Sequence, residues 1–174
     1  MKTLREYIQE AEHNKRAIAH FNVANSDMLM AVFSAAQKLS NEQGEKIPVV
    51  IGVSEGERDA FGVSQIVDYV ISLQNEHDYP IFINADHTYS VERACEAIDA
   101  GFDMVVFDNA AKDYETNLED TRAVVAYRDE VNPECLVEAE LGFIGSGSNI
   151  KDILPQGVSE ETMTDPKEAL DFVK

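Results

Sequence analysis

The feature that most constrains the fold of this chain is a regular alternation of short apolar segments with longer amphipathic ones. Five apolar segments, rich in β-branched and aromatic residues, are typical of β-strands. They are Ala17 to Val23, Pro48 to Val53, Pro80 to Ala85, Asp103 to Asp108 and Cys135 to Leu141. Because these strands carry apolar residues on both faces, they predict a parallel sheet that is covered by helices.

Helical spacing of apolar residues occupies the intervals between the strands. The predicted helices are Thr3 to His13, Asp27 to Gln43, Gly62 to Glu76, Ser90 to Ala100, Thr116 to Glu130, and one that begins at Asp165. Ser26 is the expected N-cap of the second helix. A Gly/Ser-rich loop is predicted from Gly142 to about Thr162. The chain is therefore expected to form one domain over residues 1–174.

Two α/β architectures fit this alternation: a closed (β/α)₈ barrel and an open, doubly wound sheet. No Gly-x-Gly-x-x-Gly motif follows the first strand, and Gly145-Ser146-Gly147 lacks the third glycine. A dinucleotide-binding fold therefore loses its main support. The barrel is the better prediction, and the chain would supply about its first five strand–helix units.

Charge and cysteine content exclude some classes of partner and compartment. A formal net charge of −19 argues against a nucleic-acid surface and disfavours docking to anionic lipid. No segment resembles a signal peptide or a membrane span. Cys95 and Cys135 lie far apart in apolar segments and are expected to be free, buried thiols. A reducing, cytoplasmic compartment is the resulting expectation.

Polar side chains stand near the end of each predicted strand, at positions that a parallel barrel would gather on one rim. They are Asn25, Ser54, Asp86 with His87, Asp108, and Glu138 with Glu140. Glu138 and Glu140 are two residues apart, so they share one face of their strand. Carboxylates in a barrel mouth are costly unless they are hydrogen-bonded or near a cation. An imidazole and carboxylates that converge there favour a divalent metal.

Simpler interpretations of the same residues remain open from sequence alone. Asp86 could cap the next helix beside a solvated His87, and Asp108 could cap the segment that begins at Asn109. Glu138 and Glu140 could lie on a strand that is exposed on one face. The remaining histidines are expected to be structural or solvated rather than ligands: His13, His20 and His77.

Several stretches resemble class II, zinc-dependent ketose-bisphosphate aldolases, of which fructose-1,6-bisphosphate aldolase is the commonest. They are Ala19 to Asn25, Val53 to Gly56, Asn84 to His87, Ala97 to Phe102 and Glu138 to Gly142. The resemblance runs along the whole chain in order. Met163-Thr164-Asp165-Pro166 before a helix also fits the family. The Asp-His pair and the Glu-Ala-Glu-Leu-Gly run are fairly specific together.

The resemblance implies a role for each of these residues. His87 would be a ligand of the catalytic zinc, and Glu140 would occupy the inner metal position. Asp86 would be the acid that serves the aldehyde oxygen when the carbon–carbon bond breaks. Asp108 would support the metal or bind an additional divalent or monovalent cation. Asn25 and Ser54 would contact the sugar phosphate, Ser54 near a phosphate group.

The residue types agree with that chemistry. A Lewis-acid metal can spread the negative charge that cleavage leaves on the ketose fragment, so no Schiff-base lysine is needed. The predicted strands carry no lysine at their ends. The resemblance thus implies a zinc-dependent lyase of carbohydrate metabolism that cleaves fructose-1,6-bisphosphate to dihydroxyacetone phosphate and an aldehyde phosphate.

This chain also departs from the family pattern. Gly145-Ser146-Gly147-Ser148 stands where Gly-Gly and two acidic residues are usual, so an acidic loop residue is missing or displaced to Asp152. The fourth strand ends in Asp108-Asn109-Ala110 instead of Asp-Gly-Ser. Family members continue for three more strands with two further histidine ligands. We therefore expect either a truncated product or a half-barrel that needs a partner, inactive alone and prone to form homo-oligomers.

Other functions fit parts of the pattern. A tagatose-bisphosphate aldolase would share the metal site. A metal-independent barrel isomerase could use Asp86 and His87 as acid and base, and zinc content would distinguish it. A non-catalytic metal-binding or assembly module would explain the single strand-end histidine, although it would not need Asp86.

Overall fold

The computed structural model describes residues 2–142 and 163–174. Most of the predicted Gly/Ser-rich loop, including Asp152, lies outside these residues. Within them the elements are α1 (Leu4–His13), β1 (Ala19–Asn22), α2 (Ser26–Gln43), β2 (Val49–Val53), α3 (Glu55–Phe61), α4 (Val63–His77), β3 (Ile81–Thr88), α5 (Val91–Ala100), β4 (Met104–Phe107), α6 (Tyr114–Val131), β5 (Leu136–Ala139) and α7 (Pro166–Phe172).

The five strands form one parallel sheet in the order β1-β2-β3-β4-β5. A doubly wound sheet reverses its strand order, and the order of this sheet does not reverse. Each strand instead lies beside the next one along the chain, with a helical crossover between them. This arrangement confirms the prediction of a partial (β/α) barrel, and all strands end at the same rim.

The two faces of the sheet pack differently because side chains alternate along each strand. Residues such as Ile51, Ile83 and Val105 point outward into one large core shared with Phe33 of α2 and Val70 of α4. That core runs continuously to α5 and α6. The helices α2, α4, α5 and α6 therefore cover the outer face of the sheet.

The inner face carries a second, smaller core near the N-terminal ends of the strands. Val50 and Phe82 pack there against Leu4 of α1, and the Tyr7 ring lies 5.6 Å from the Phe82 ring. Thr3 caps α1, and Glu6 completes a capping box, which defines where the helix begins. Helix α1 closes the lower part of the inner face, so the upper part stays accessible at the carboxyl rim.

Three details differ from the sequence-based expectations. Asn25, not Ser26, is the N-cap of α2, and its Oδ1 accepts a hydrogen bond from the Met28 N–H at 2.9 Å. Helix α3 was not predicted, since seven residues are too few to show helical periodicity. Strand β3 does not end at Ala85 but continues to Thr88, so Asp86 and His87 belong to the strand itself.

Both cysteines are free thiols, as predicted. Cys135 is buried, and its burial raises the pKa of the thiol to about 12. Cys95 is only partly buried, which differs from the expectation of a fully buried side chain. Among the described residues, no helix has the length and apolar character needed to cross a membrane.

Candidate active site

Asp86 and His87 lie in a β-bulge of β3. Ala85 pairs with Val105 and Thr88 pairs with Phe107, so two residues of β3 oppose the single residue Val106 of β4. A bulge of this kind interrupts the alternation of side chains. Asp86 and His87 consequently both line the inner cavity although they are neighbours in the chain.

The bulge is formed by an unusual backbone conformation at His87. Its φ is +43°, in the left-handed region that a non-glycine residue rarely adopts. Such a conformation costs about 1–3 kcal/mol and persists only where surrounding contacts impose it. Strained residues of this kind concentrate at functional sites, which makes His87 a strong candidate for one.

Three strands bring one imidazole and two carboxylates together. His87 Nδ1 lies 2.9 Å from Asp108 Oδ2, just after β4, and 3.3 Å from Glu140 Oε1, just after β5. A potential ligand atom from each of the three lies within 4.8 Å of the others. Asp108 also accepts a hydrogen bond from the Ala110 N–H at 3.3 Å. This bond belongs to a turn after β4, and Asp108 does not cap a helix, because α6 begins at Tyr114 with Asp113 as its N-cap.

The charges around His87 perturb two pKa values. Burial lowers the pKa of His87, but its hydrogen bond to Asp108 and the charges of Asp86, Glu140 and Asp108 outweigh burial, so the pKa rises above 6.5. Burial and the neighbouring charge of Asp108 raise the pKa of Glu140. The neighbouring carboxylates raise both pKa values, which reflects the negative charge at this rim.

His87 is the one cationic partner that the described part of the chain offers to Asp108 and Glu140 within ion-pair distance. Close carboxylates without a full counter-charge are the environment in which a bound cation is favourable. The donor set of one imidazole and two carboxylates suits zinc. Ligand atoms of a tetrahedral zinc lie roughly 3.3 Å apart. His87 Nδ1 lies 2.9 Å from Asp108 Oδ2 and 3.3 Å from Glu140 Oε1, which is close to that value.

Asp86 has a partner that the sequence did not reveal. Asn22, the last residue of β1, donates a hydrogen bond from Nδ2 to Asp86 Oδ2 at 2.7 Å. Gly52 of β2 lies between these two strands, and a Cβ atom there would stand only 2.8 Å from Asn22 Oδ1. The absence of a side chain at Gly52 therefore lets Asn22 reach across β2 and orient the Asp86 carboxylate.

Asp86, His87 and Glu140 line an open cavity of about 540 Å³ on the inner face. His20, Asn84 and Glu138 line it together with Asp86 and Glu140. His20 Nε2 lies 3.0 Å from Asn84 Nδ2, so this histidine is part of the polar lining rather than a simply solvated residue. Glu138 and Glu140 share the inner face, as their spacing predicted. His20 and Asn22 are two residues apart in β1, a spacing that indicates one shared face of the strand.

Asn25 and Ser54, the two predicted substrate contacts, follow β1 and β2 at the same rim but do not line this cavity. Asn25 caps α2. Ser54 is the N-cap of α3, and its N–H donates a hydrogen bond to the Glu57 carboxylate at 2.7 Å. Their contact with substrate stays a prediction.

Comparison with known proteins agrees with the geometry. The sequence profile of the family "Fructose-bisphosphate aldolase class-II" matches residues 2–174. The chain belongs to the class II fructose-bisphosphate aldolase family. It is 35% identical to a fructose-bisphosphate aldolase of Geobacillus stearothermophilus and 34% identical to one of Staphylococcus aureus strain Mu50. The alignments cover 99% of this chain and 56% and 57% of those two relatives.

Solved structures of proteins described as aldolases have the same fold. The YdjI aldolase of Escherichia coli K12 superposes with a TM-score of 0.75 at 28% sequence identity. A fructose-1,6-bisphosphate aldolase of Coccidioides immitis, itself described as putative, gives a TM-score of 0.75 at 27% identity. The matches cover 99% and 98% of this chain and 56% of each solved chain. This class II family sequence thus spans slightly more than half the length of its relatives.

Proposed function

We propose that this chain provides the zinc-binding and proton-transfer part of an aldolase that cleaves fructose-1,6-bisphosphate to dihydroxyacetone phosphate and an aldehyde phosphate. The observation that carries the proposal is the convergence of His87, Asp108 and Glu140 within 4.8 Å, beside a carboxylate, Asp86, that Asn22 orients. Membership of the class II family supports the reaction class.

His87, Asp108 and Glu140 are the residues that would hold the metal. The bound metal would act as a Lewis acid that stabilises the negative charge developing on the substrate oxygens. Asp86 does the proton chemistry: it accepts the proton from the hydroxyl at C4 as the C3–C4 bond breaks, and returns it in the condensation direction. Asn22 holds the Asp86 carboxylate toward the cavity, so the proton is transferred at a defined position.

Metal binding is tested on the 174-residue chain by titration with Co²⁺, whose visible spectrum reports its coordination. We expect weak binding, because the relatives are almost twice as long and would add ligands. His87→Ala should abolish the cobalt spectrum, whereas Asp86→Ala should preserve it. Equal loss in both variants, or no loss in either, would contradict the separate metal and proton roles.

Activity is tested in a chimera in which residues 2–174 replace the matching segment of the Geobacillus stearothermophilus aldolase. We expect zinc-dependent cleavage of fructose-1,6-bisphosphate, and Asp86→Ala should slow it by roughly 10²–10⁴-fold with zinc still bound. The 174-residue chain alone should show none. Zinc-tracking turnover by that chain alone would contradict the division of ligands, and faster cleavage of tagatose-1,6-bisphosphate by the chimera would change the assigned substrate.

A further inference from the structure

The short helix α3 contains a buried arginine behind the His87 bulge. The Arg58 side chain is only 1% exposed. Its Nη1 donates to the carbonyl oxygen of Val53, at the end of β2, at 3.0 Å. A buried guanidinium is costly unless its donors find acceptors, so its contacts indicate what it is there to hold.

The other contacts of Arg58 lie on both sides of His87. Nη1 also donates to the carbonyl oxygen of Asp86 at 3.3 Å, and Nη2 donates to Thr88 Oγ1 at 3.1 Å. His87, with its left-handed backbone, is thus the single residue between two that the same guanidinium holds. Thr88 is fully buried, and its carbonyl oxygen accepts a hydrogen bond from the Asp108 N–H at 2.9 Å.

A second residue of α3 holds the next position of β3. Glu55 Oε1 accepts a hydrogen bond from the Tyr89 N–H at 3.0 Å and lies 3.9 Å from Arg58 Nη2. Arg58 and Glu55, which we call the α3 clamp, together fix the backbone from residue 86 to residue 89. Neither residue lines the inner cavity.

We propose that Arg58 is a positioning residue, which acts through Asp86 and Thr88 to hold His87 in the strained conformation that aims its imidazole at Asp108 and Glu140. The expected effect on metal affinity rests on the proposed metal site, whereas the hydrogen bonds of Arg58 are present without metal. Residues that orient metal ligands typically change metal affinity 10–100-fold when they are removed. The clamp would thus contribute to metal affinity without touching metal or substrate.

The test uses the 174-residue chain with one variant of the clamp, one variant of its acceptor Thr88, and two controls. Thr88→Val removes the hydroxyl that Arg58 holds at nearly constant volume, and Thr88→Ser keeps a hydroxyl there. Arg58→Lys keeps the charge but cannot hold all three acceptors. Arg93→Met removes another arginine, which forms an ion pair with the exposed Asp59 of α3 and makes none of the hydrogen bonds to residues 86–89 described above.

Two readouts need no metal. We expect amide hydrogen exchange at Tyr89 to become about 10-fold or more faster in Thr88→Val and Arg58→Lys. Both variants lose the charged hydrogen bond from Arg58 to Thr88, which holds the backbone next to Tyr89. The imidazole ¹⁵N spectrum of His87 should change in the same variants as Nδ1 loses Asp108. Thr88→Ser and Arg93→Met should change neither. Should Arg58→Lys fail to fold, the Thr88 pair decides the question.

The third readout is Co²⁺ affinity, which should fall about 10–100-fold in Thr88→Val and Arg58→Lys only. Faster exchange with an unchanged His87 spectrum would overturn the proposal, because Arg58 would then only stabilise the strand end. Unchanged exchange would overturn it as well. If the unmodified chain binds no cobalt, the proposed zinc function fails, and the exchange and imidazole readouts still decide the role of Arg58.

Discussion

Asp103 makes the stability of this fold dependent on pH. Its carboxylate lies between α5 and β4, where Oδ2 accepts a hydrogen bond from the Ile83 N–H at 2.8 Å. Burial raises the pKa of Asp103 from 3.8 to about 6, although that hydrogen bond opposes the shift. The folded protein therefore prefers the neutral acid, and ionisation of Asp103 at neutral pH destabilises it.

The magnitude follows from linkage between proton binding and folding. The pKa rises by about 2 units on folding, and each unit corresponds to about 1.4 kcal/mol. The stabilising contribution of Asp103 is fully present below about pH 4. It is lost as the pH rises through 6, by at most about 3 kcal/mol. Asp103→Asn, which keeps an acceptor for Ile83, should escape this loss.

Urea unfolding of both proteins across pH 4 to 8 measures the effect. We expect Asp103→Asn to gain stability relative to the unmodified chain as the pH rises, by up to about 3 kcal/mol near pH 7.5. Asp68→Asn, at an exposed position of α4, controls for the general loss of a negative charge. A stability difference between Asp103→Asn and the unmodified chain that stays constant with pH would refute the reasoning.

Three further predictions concern the site and the sheet edges. Cobalt affinity should rise as the pH passes the pKa of His87, which is raised above 6.5, because metal and proton compete for the imidazole. A cobalt affinity that does not change with pH would contradict this. Gly52→Ala places a Cβ 2.4 Å from the His20 ring and 2.8 Å from Asn22 Oδ1, and it should slow cleavage by the chimera with metal retained. The control Gly56→Ala, whose Cβ meets no atom within 4 Å, should leave the rate unchanged. Equal rates in the two variants would contradict the role of the Asn22–Asp86 hydrogen bond. Light scattering of the 174-residue chain should show dimers or larger species because β1 and β5 are unpaired edges in its described part; a monomer would contradict it.

Local pattern was enough to predict the strand–helix alternation, because each element shows its own periodicity in the sequence. Period-two spacing placed Glu138 and Glu140 on one face, and both line the cavity. The apolar strands indicated a parallel sheet. Only the sequential strand order decided between a barrel and a doubly wound sheet, because that order depends on contacts between distant segments.

The polar strand ends indicate Asp86 and His87 as site residues, and the family resemblance implies their roles, but the sequence alone does not show how the two are oriented together. Their shared orientation comes from a bulge, which exists only in the register between β3 and β4. The start of helix α3 has a local signal, the capping sequence Ser54-x-x-Glu57. No local signal indicates the role of Arg58, because an arginine among acidic residues normally lies on a solvated helix face.

The sequence by itself determined the order of the elements, the residue types at the rim and the family. Tertiary structure decided which polar groups touch. Asn22 and Asp86 are 64 positions apart, and Arg58 reaches across 30 positions to Thr88. These pairs meet because parallel strands bring their carboxyl ends to one rim, where burial and charge select partners that no local pattern encodes.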